Sequence, residues 1–269
     1  SIRRQRQMCI RDSLTSIFDF ATPDDADRLR GLPATADRAA QAAALPGTIT
    51  PPAPDKPGLA RQQAGTRPSR ALPYALSMQV RADGDGIALR FDNTGTAGAV
   101  LHVYDRLHLE AGPRRYTVEA GKQLEGVWPT TADQGRYDLW VLGPNGFHRH
   151  VAGRQQAGAA PLTVEALCEA AGPRLRLTLR NPGGQARVVR IQANAYGYPG
   201  RAHAALPAGA ETLVDWDLAR SGGWYDFSVH ADDEPGFVRR LAGRIETGAP
   251  SISDPAMGQE LILQWTPPA

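Results

Sequence analysis

The chain writes one pattern twice, and that repetition limits the folds open to it more than any other feature. "RYDLWVLGPNGFHRHVAG" runs from Arg136 to Gly153, and "WYDFSVHADDEPGFVRRLAG" from Trp224 to Gly243. An offset of 88 residues lays Asn93 on Asn181, Gly95 on Gly183, Trp128 on Trp216, Tyr137 on Tyr225 and Asp138 on Asp226. After a two-residue insertion in the second copy, Phe147 meets Phe237, Arg149 meets Arg239, and Ala152-Gly153 meets Ala242-Gly243. Self-similarity at a fixed spacing marks units built the same way. Two homologous domains are therefore expected, over residues 73–154 and 161–246.

Within each copy, apolar residues alternate as they do in half-buried strands. Ile87, Leu89 and Phe91 share one strand face, and Leu175, Leu177 and Leu179 answer them. Tyr137, Leu139 and Val141 form a second inward row, mirrored by Tyr225, Phe227 and Val229. Side chains two apart on a strand point the same way, so each copy directs both rows at one core. Turn signals fall between the rows, among them Asp83-Gly84-Asp85-Gly86, Asn93-Thr94-Gly95 and Gly143-Pro144-Asn145-Gly146. About seven short strands and no helix per copy predict an all-β protein of two tandem antiparallel β-sandwich domains. A mostly irregular Pro/Ala-rich linker precedes them.

The flanks read differently. The first 13 residues, "SIRRQRQMCIRDS", are basic, and no apolar stretch follows Arg3-Arg4 as a twin-arginine export signal requires. The string resembles translated sequencing-adapter read-through, so residues 1–13 are read as a non-native leader and the biological sequence as starting near Ser13 or Leu14. Residues 14–72 open with a short apolar patch, Ile17-Phe18-Asp19-Phe20, which calls for a partner upstream. A weak helix from about Asp24 to Ala44 follows, then a Pro- and Gly-dense connector too poor in large apolar residues to offset its ordering entropy. Residues 247–269 are expected to form a loosely docked tail, Glu260 to Gln264 being the one stretch in it that could add a strand.

Composition narrows function mainly by exclusion. A net charge of +2 carries no signature of a nucleic-acid binder, and no run approaches the roughly 18 apolar residues of a membrane span. Cys9 and Cys168 are too isolated for a disulfide framework or a zinc site. There is no Gly-rich phosphate loop, no H-E-x-x-H and no G-x-S-x-G elbow. His148 and His150 would point the same way on a strand, as paired metal ligands do, yet the second copy has Val238 and Arg240 there. They are read as solvated strand residues. Asp138 and Asp226 recur beside an inward tyrosine, which suits hydrogen bonding better than a duplicated catalytic carboxylate. Arg149 and Arg239 sit between apolar neighbours, and an ion pair with those aspartates is the expectation. No catalytic residue, metal or cofactor is assigned.

The tryptophans divide. Trp128 and Trp216 are repeat equivalents and should fill the same core slot. Trp140 and Trp224 are not equivalent, and parity turns each away from its inward row. Outward aromatics can anchor a partner surface, a sugar or a lipid headgroup region, or they can cover a seam between domains.

Three stretches of the first copy, "FDNTGTAGAVLHVYDR", "PRRYTVEAGKQLEGVW" and "GRYDLWVLGPNGFHRHVAG", resemble the C-terminal repeat domain of bacterial phosphocholine-preferring phospholipases C. The second copy resembles it in register, and "LTSIFDFATP" is similar to the end of that family's catalytic domain, so the likeness runs from about residue 14 to 246. The resemblance implies an alkaline-phosphatase-like catalytic domain upstream, holding the nucleophile and metals, which releases phosphocholine from phosphatidylcholine and often sphingomyelin. It implies a secreted or periplasmic enzyme whose N-terminally truncated fragment this chain would be, inactive alone. The expected partners are the missing catalytic domain in cis and a phosphatidylcholine-containing membrane surface. A carbohydrate- or cell-envelope-binding sandwich pair is the alternative.

Overall fold

The computed structural model describes residues 37–44, 65–155 and 161–257, the side chains of 38 and 201–204 excepted. The expected leader, the Ile17–Phe20 patch and the Glu260–Gln264 strand lie outside the described residues. The described residues fall into two units, divided between Ala60 and Arg61. In the first, one short helix, α1 (Arg38–Ala44), falls within the span where the Ala-rich run predicts one.

The second unit is built of strands. The first copy contributes seven: β2 (Leu76–Asp83), β3 (Gly86–Asn93), β4 (Ala99–Asp105), β5 (Arg114–Val118), β6 (Lys122–Pro129), β7 (Arg136–Leu142) and β8 (His148–Arg154). The second contributes β9 (Thr163–Glu169), β10 (Arg174–Arg180), β11 (Arg187–Ala193), β12 (Arg201–Leu206), β13 (Glu211–Asp217), β14 (Trp224–Ala231) and β15 (Val238–Arg244). In each copy three strands form one sheet, β2-β3-β6 or β9-β10-β13. The other four, β5-β4-β7-β8 or β12-β11-β14-β15, form the second, with strands crossing between layers as in Greek-key sandwiches.

The alternating rows line two separate cores. Ile87, Leu89, Phe91, Leu139, Val141 and Trp128 are buried in the first. Leu175, Leu177, Leu179, Phe227, Val229 and Trp216 are buried in the second. Trp216 stacks on Phe227 at 4.2 Å between centroids. Each fully buried side chain of this size contributes about 1.5–3 kcal/mol. Asn93 and Asn181 are buried at matched turns. Each amide donates to a turn carbonyl four residues on, Ala97 or Gln185, and to the neighbouring strand at Val118 or Leu206.

The two sandwiches are not beads on a string. β8 pairs with β15 antiparallel, Val151 opposite Arg239 and His150 opposite Arg240, so the two four-stranded sheets fuse into one of eight strands. A further two-stranded ribbon, β1 (Pro68–Ser69) with β16 (Ser251–Ile252), brings the segment ahead of the first copy against the one behind the second. Arg244 donates to Ser69, and the Glu246 carboxylate accepts from the Leu72 amide and from Asn145. The described ends of the connector and of the tail, expected to be irregular and loosely docked, are joined to each other by this ribbon. Pairing depends on backbone groups, which the side-chain composition of these segments does not report.

Candidate functional site

The repeat-equivalent residues gather at the β8–β15 junction. Arg149 is 3% exposed and donates to the Ala242 carbonyl at 2.7 Å and the Tyr225 hydroxyl at 2.9 Å. Arg239 donates to the Ala152 carbonyl at 2.7 Å and the Tyr137 hydroxyl at 2.7 Å. Each arginine thus reaches across the junction to the tyrosine of the other copy, in a reciprocal brace. Its guanidinium also lies over the phenylalanine two residues back, Phe147 at 4.1 Å or Phe237 at 4.3 Å. The expected ion pairs with Asp138 and Asp226 are not made. Arg149 and Arg239 point inward and the aspartates outward, on opposite faces of the sheet.

The aspartates occupy one slot filled in two ways. Asp138 accepts from Arg106 at 3.0 Å and from His150 at 2.7 Å. Asp226 accepts from Asn194 at 2.8 Å and from Arg240 at 2.8 and 2.6 Å. Arg106 and Asn194 are repeat equivalents, as are His150 and Arg240. The cation therefore moves from one side of the carboxylate to the other between copies. Burial lowers the pKa of His150 although Asp138 pulls it upward. Burial, with Arg240 nearby, pushes His148 down to about 4, and its buried Nε2 has no hydrogen-bond partner. Among the described residues no group of three His, Cys, Asp or Glu could hold a metal ion.

The outward face of the first copy carries exposed apolar and aromatic side chains beside its Arg106–Asp138 pair, whereas that of the second carries two ion pairs and the exposed Val188. Trp140, Leu142 and Val100 are 36%, 40% and 46% exposed there. Tyr104 stands opposite Trp140 across the strand pair, and His102 opposite Leu142. The Arg106 guanidinium lies 4.4 Å from the Trp140 ring centre, and the rings of His148 and His150 meet it edge-on. In the second copy Arg190 pairs with Asp232 and Arg240 with Asp226 on the same face. Trp224 does not join Trp140. It is half-buried, its indole donates to the Ile252 carbonyl at 3.1 Å, and a Cβ added to Gly146 would come within 2.8 Å of its ring. Trp224 covers the seam among the first copy's turn, β14 and the β1–β16 ribbon. Trp128 and Trp216 are both core residues.

Sequence reasoning missed Arg106, Asn194, Arg244 and Glu246. The first two were legible in principle, since the same repeat offset relates them. Arg244 has a repeat counterpart in Arg154, but Glu246 falls opposite Gln156, so the pair itself is not repeated.

Residues 68–154 and 158–244 each match the family described as "Bacterial phospholipase C, C-terminal domain". The chain is similar to the non-hemolytic phospholipase C of Pseudomonas aeruginosa, 38% identical over 94% of this chain and 37% of that protein. The non-hemolytic phospholipase C of Burkholderia pseudomallei is also 38% identical, over 93% of this chain and 36% of its own length. The hemolytic phospholipase C of Pseudomonas aeruginosa is 32% identical over 94% of this chain and 38% of its own length. The chain thus spans little more than a third of the curated relatives it matches.

Proposed function

Because this chain belongs to the family of bacterial phospholipase C C-terminal domains, we propose that it is the accessory, non-catalytic module of such an enzyme. In this reading it packs on a catalytic domain in cis and presents the enzyme to a phosphatidylcholine-containing surface. The hydrolysis of phosphatidylcholine or sphingomyelin, with release of phosphocholine, is assigned to that other domain. The module works where the enzyme meets its lipid, in the periplasm or outside the cell.

The observation that carries the docking part is the asymmetry between the two outward faces. Equivalent strands present Trp140 and Leu142 in one copy where the other has Ser228 and His230 beside the Arg190–Asp232 and Arg240–Asp226 pairs, while exposed Val100 and Val188 are common to both. A patch combining exposed apolar side chains, Tyr104 and a guanidinium lying on an indole suits an interfacial environment, apolar on one side and wet on the other. Trp224 has no part in it, being committed to the seam.

The test compares an intact enzyme carrying this module with one lacking residues 65–257. Hydrolysis of phosphatidylcholine vesicles should fall, while hydrolysis of a water-soluble phosphocholine ester should hold. Equal loss on both substrates would assign the module to holding the catalytic domain alone. Saturable binding to a glycan, with vesicle hydrolysis unchanged, would favour a cell-envelope role.

A further inference from the structure

The eight-stranded sheet runs unbroken through the junction, but the layer above it does not. β2 ends one three-stranded sheet and β9 ends the other, and they face each other without pairing. Between them lies a cleft of about 570 Å³. Its apolar lining includes Val80, Ile87 and Leu162, and the cross-junction pair Tyr137 and Arg239 also lines it.

Two groups lining this cleft lack partners. Arg187 spends Nε and Nη2 on Asp233 and Glu234, but its buried Nη1 has no hydrogen-bond partner. The Thr163 hydroxyl is likewise buried and unpaired. Buried polar groups are nearly always satisfied, so two orphans lining one cavity call for an acceptor. Arg239 adds to the demand. It is buried, bonds only neutral oxygens, and uses three N–H groups of the five a guanidinium carries. Of the other cations lining the cleft, Arg81 is answered by Glu125 and Arg90 by Asp92, while Arg154 donates to the Gln134 carbonyl. The Asp233 and Glu234 side chains are 44% and 23% exposed, whereas Arg239 is 8% exposed, so the deepest of these charges is positive, with the Glu234 carboxylate nearer the mouth.

The orphaned groups are also specific to the second copy. Arg187 and Thr163 stand where the repeat offset puts Ala99 and Ala75 in the first. The shared sandwich therefore does not need them.

We propose that this cleft binds a small amphipathic anion, a carboxylate or phosphate ester on a short apolar body. The acidic head lies against Arg187, Thr163 and the spare donors of Arg239, and the body covers Val80, Ile87 and Leu162. The site lies apart from the Trp140 face and stands whether or not that face meets lipid.

The test is titration calorimetry on the whole chain with four probes: hexanoate, hexyl phosphate, inorganic phosphate and hexanol. Saturable binding of hexanoate or hexyl phosphate is expected, and comparing them identifies the head the site prefers. Arg187→Gln should weaken binding about tenfold, as loss of a charge-assisted hydrogen bond does. Thr163→Val should weaken it less, and Ala82→Trp, on the exposed edge of β2, should block the cleft. Should Arg187→Gln fail to fold, Ala82→Trp decides alone. No saturable binding of either alkyl anion overturns the proposal, as does equal binding of hexanol or of inorganic phosphate. Binding that survives Ala82→Trp overturns it as well.

Discussion

Arg149 and Arg239 are buried cations without a carboxylate, an arrangement that costs desolvation unless every donor finds an acceptor. Their acceptors are carbonyls and a tyrosine hydroxyl of the other copy, with an aromatic ring beneath each guanidinium. Tyr225→Phe should therefore cost about 1–3 kcal/mol in urea unfolding, the penalty of stranding a buried donor. In a double-mutant cycle, adding Arg149→Met to Tyr225→Phe should recover part of that loss, because the stranded charge is then gone. The sequence marked these arginines as recurrent and set among apolar neighbours, but gave them the wrong partners. A repeat offset relates each residue to its twin. It carries no information on whether a contact stays within a copy or crosses to the other, and Arg149 and Tyr225 are 76 residues apart. His148 yields a second prediction. Its folded-state pKa near 4 lies below the ordinary 6.5, so the unfolded chain takes up the proton first. Stability should fall as pH drops from about 6.5 towards 4, and His148→Phe should flatten that slope in melting curves taken across this range.

The strands themselves were legible because alternation is a local signal, and the rows at Ile87–Phe91 and Tyr225–Val229 are the core rows of the fold. Strand partnership is not local. Nothing in "FHRHVAG" or "FVRRLAG" distinguishes a strand at the rim of a sandwich from one stitched to its twin, and the two-residue ribbon β1–β16 is too short for any periodicity. One close approach reports on the junction. A Cβ on Gly153 would lie 2.8 Å from the Tyr137 hydroxyl, and one on Gly243 would lie 3.2 Å from that of Tyr225. Gly153→Ala should displace Tyr137 from Arg239 and destabilise by about 1–3 kcal/mol, the usual range for overpacking. Gly243→Ala should cost less. Thermal unfolding of both variants checks the order.

A continuous sheet and a reciprocal brace make the tandem one mechanical piece, so residues 65–257 should unfold in a single transition rather than copy by copy. The doubled sequence would by itself suggest two independent melts, and calorimetry separates these outcomes. A rigid module fixes where its outward face lies relative to whatever its ends are joined to, and the β1–β16 ribbon brings those two ends together. That geometry suits an accessory part that must hold one face toward a surface while another domain does the chemistry. The most direct test is co-sedimentation of the chain with phosphatidylcholine vesicles at low and moderate salt. The account predicts binding that persists at moderate salt and weakens about tenfold in Trp140→Ala, the order of magnitude for losing one buried large apolar side chain. Leu213→Ala, an exposed position on the opposite layer of the second copy, should leave it unchanged. Absence of binding at both salt concentrations, or binding indifferent to Trp140, would contradict the account.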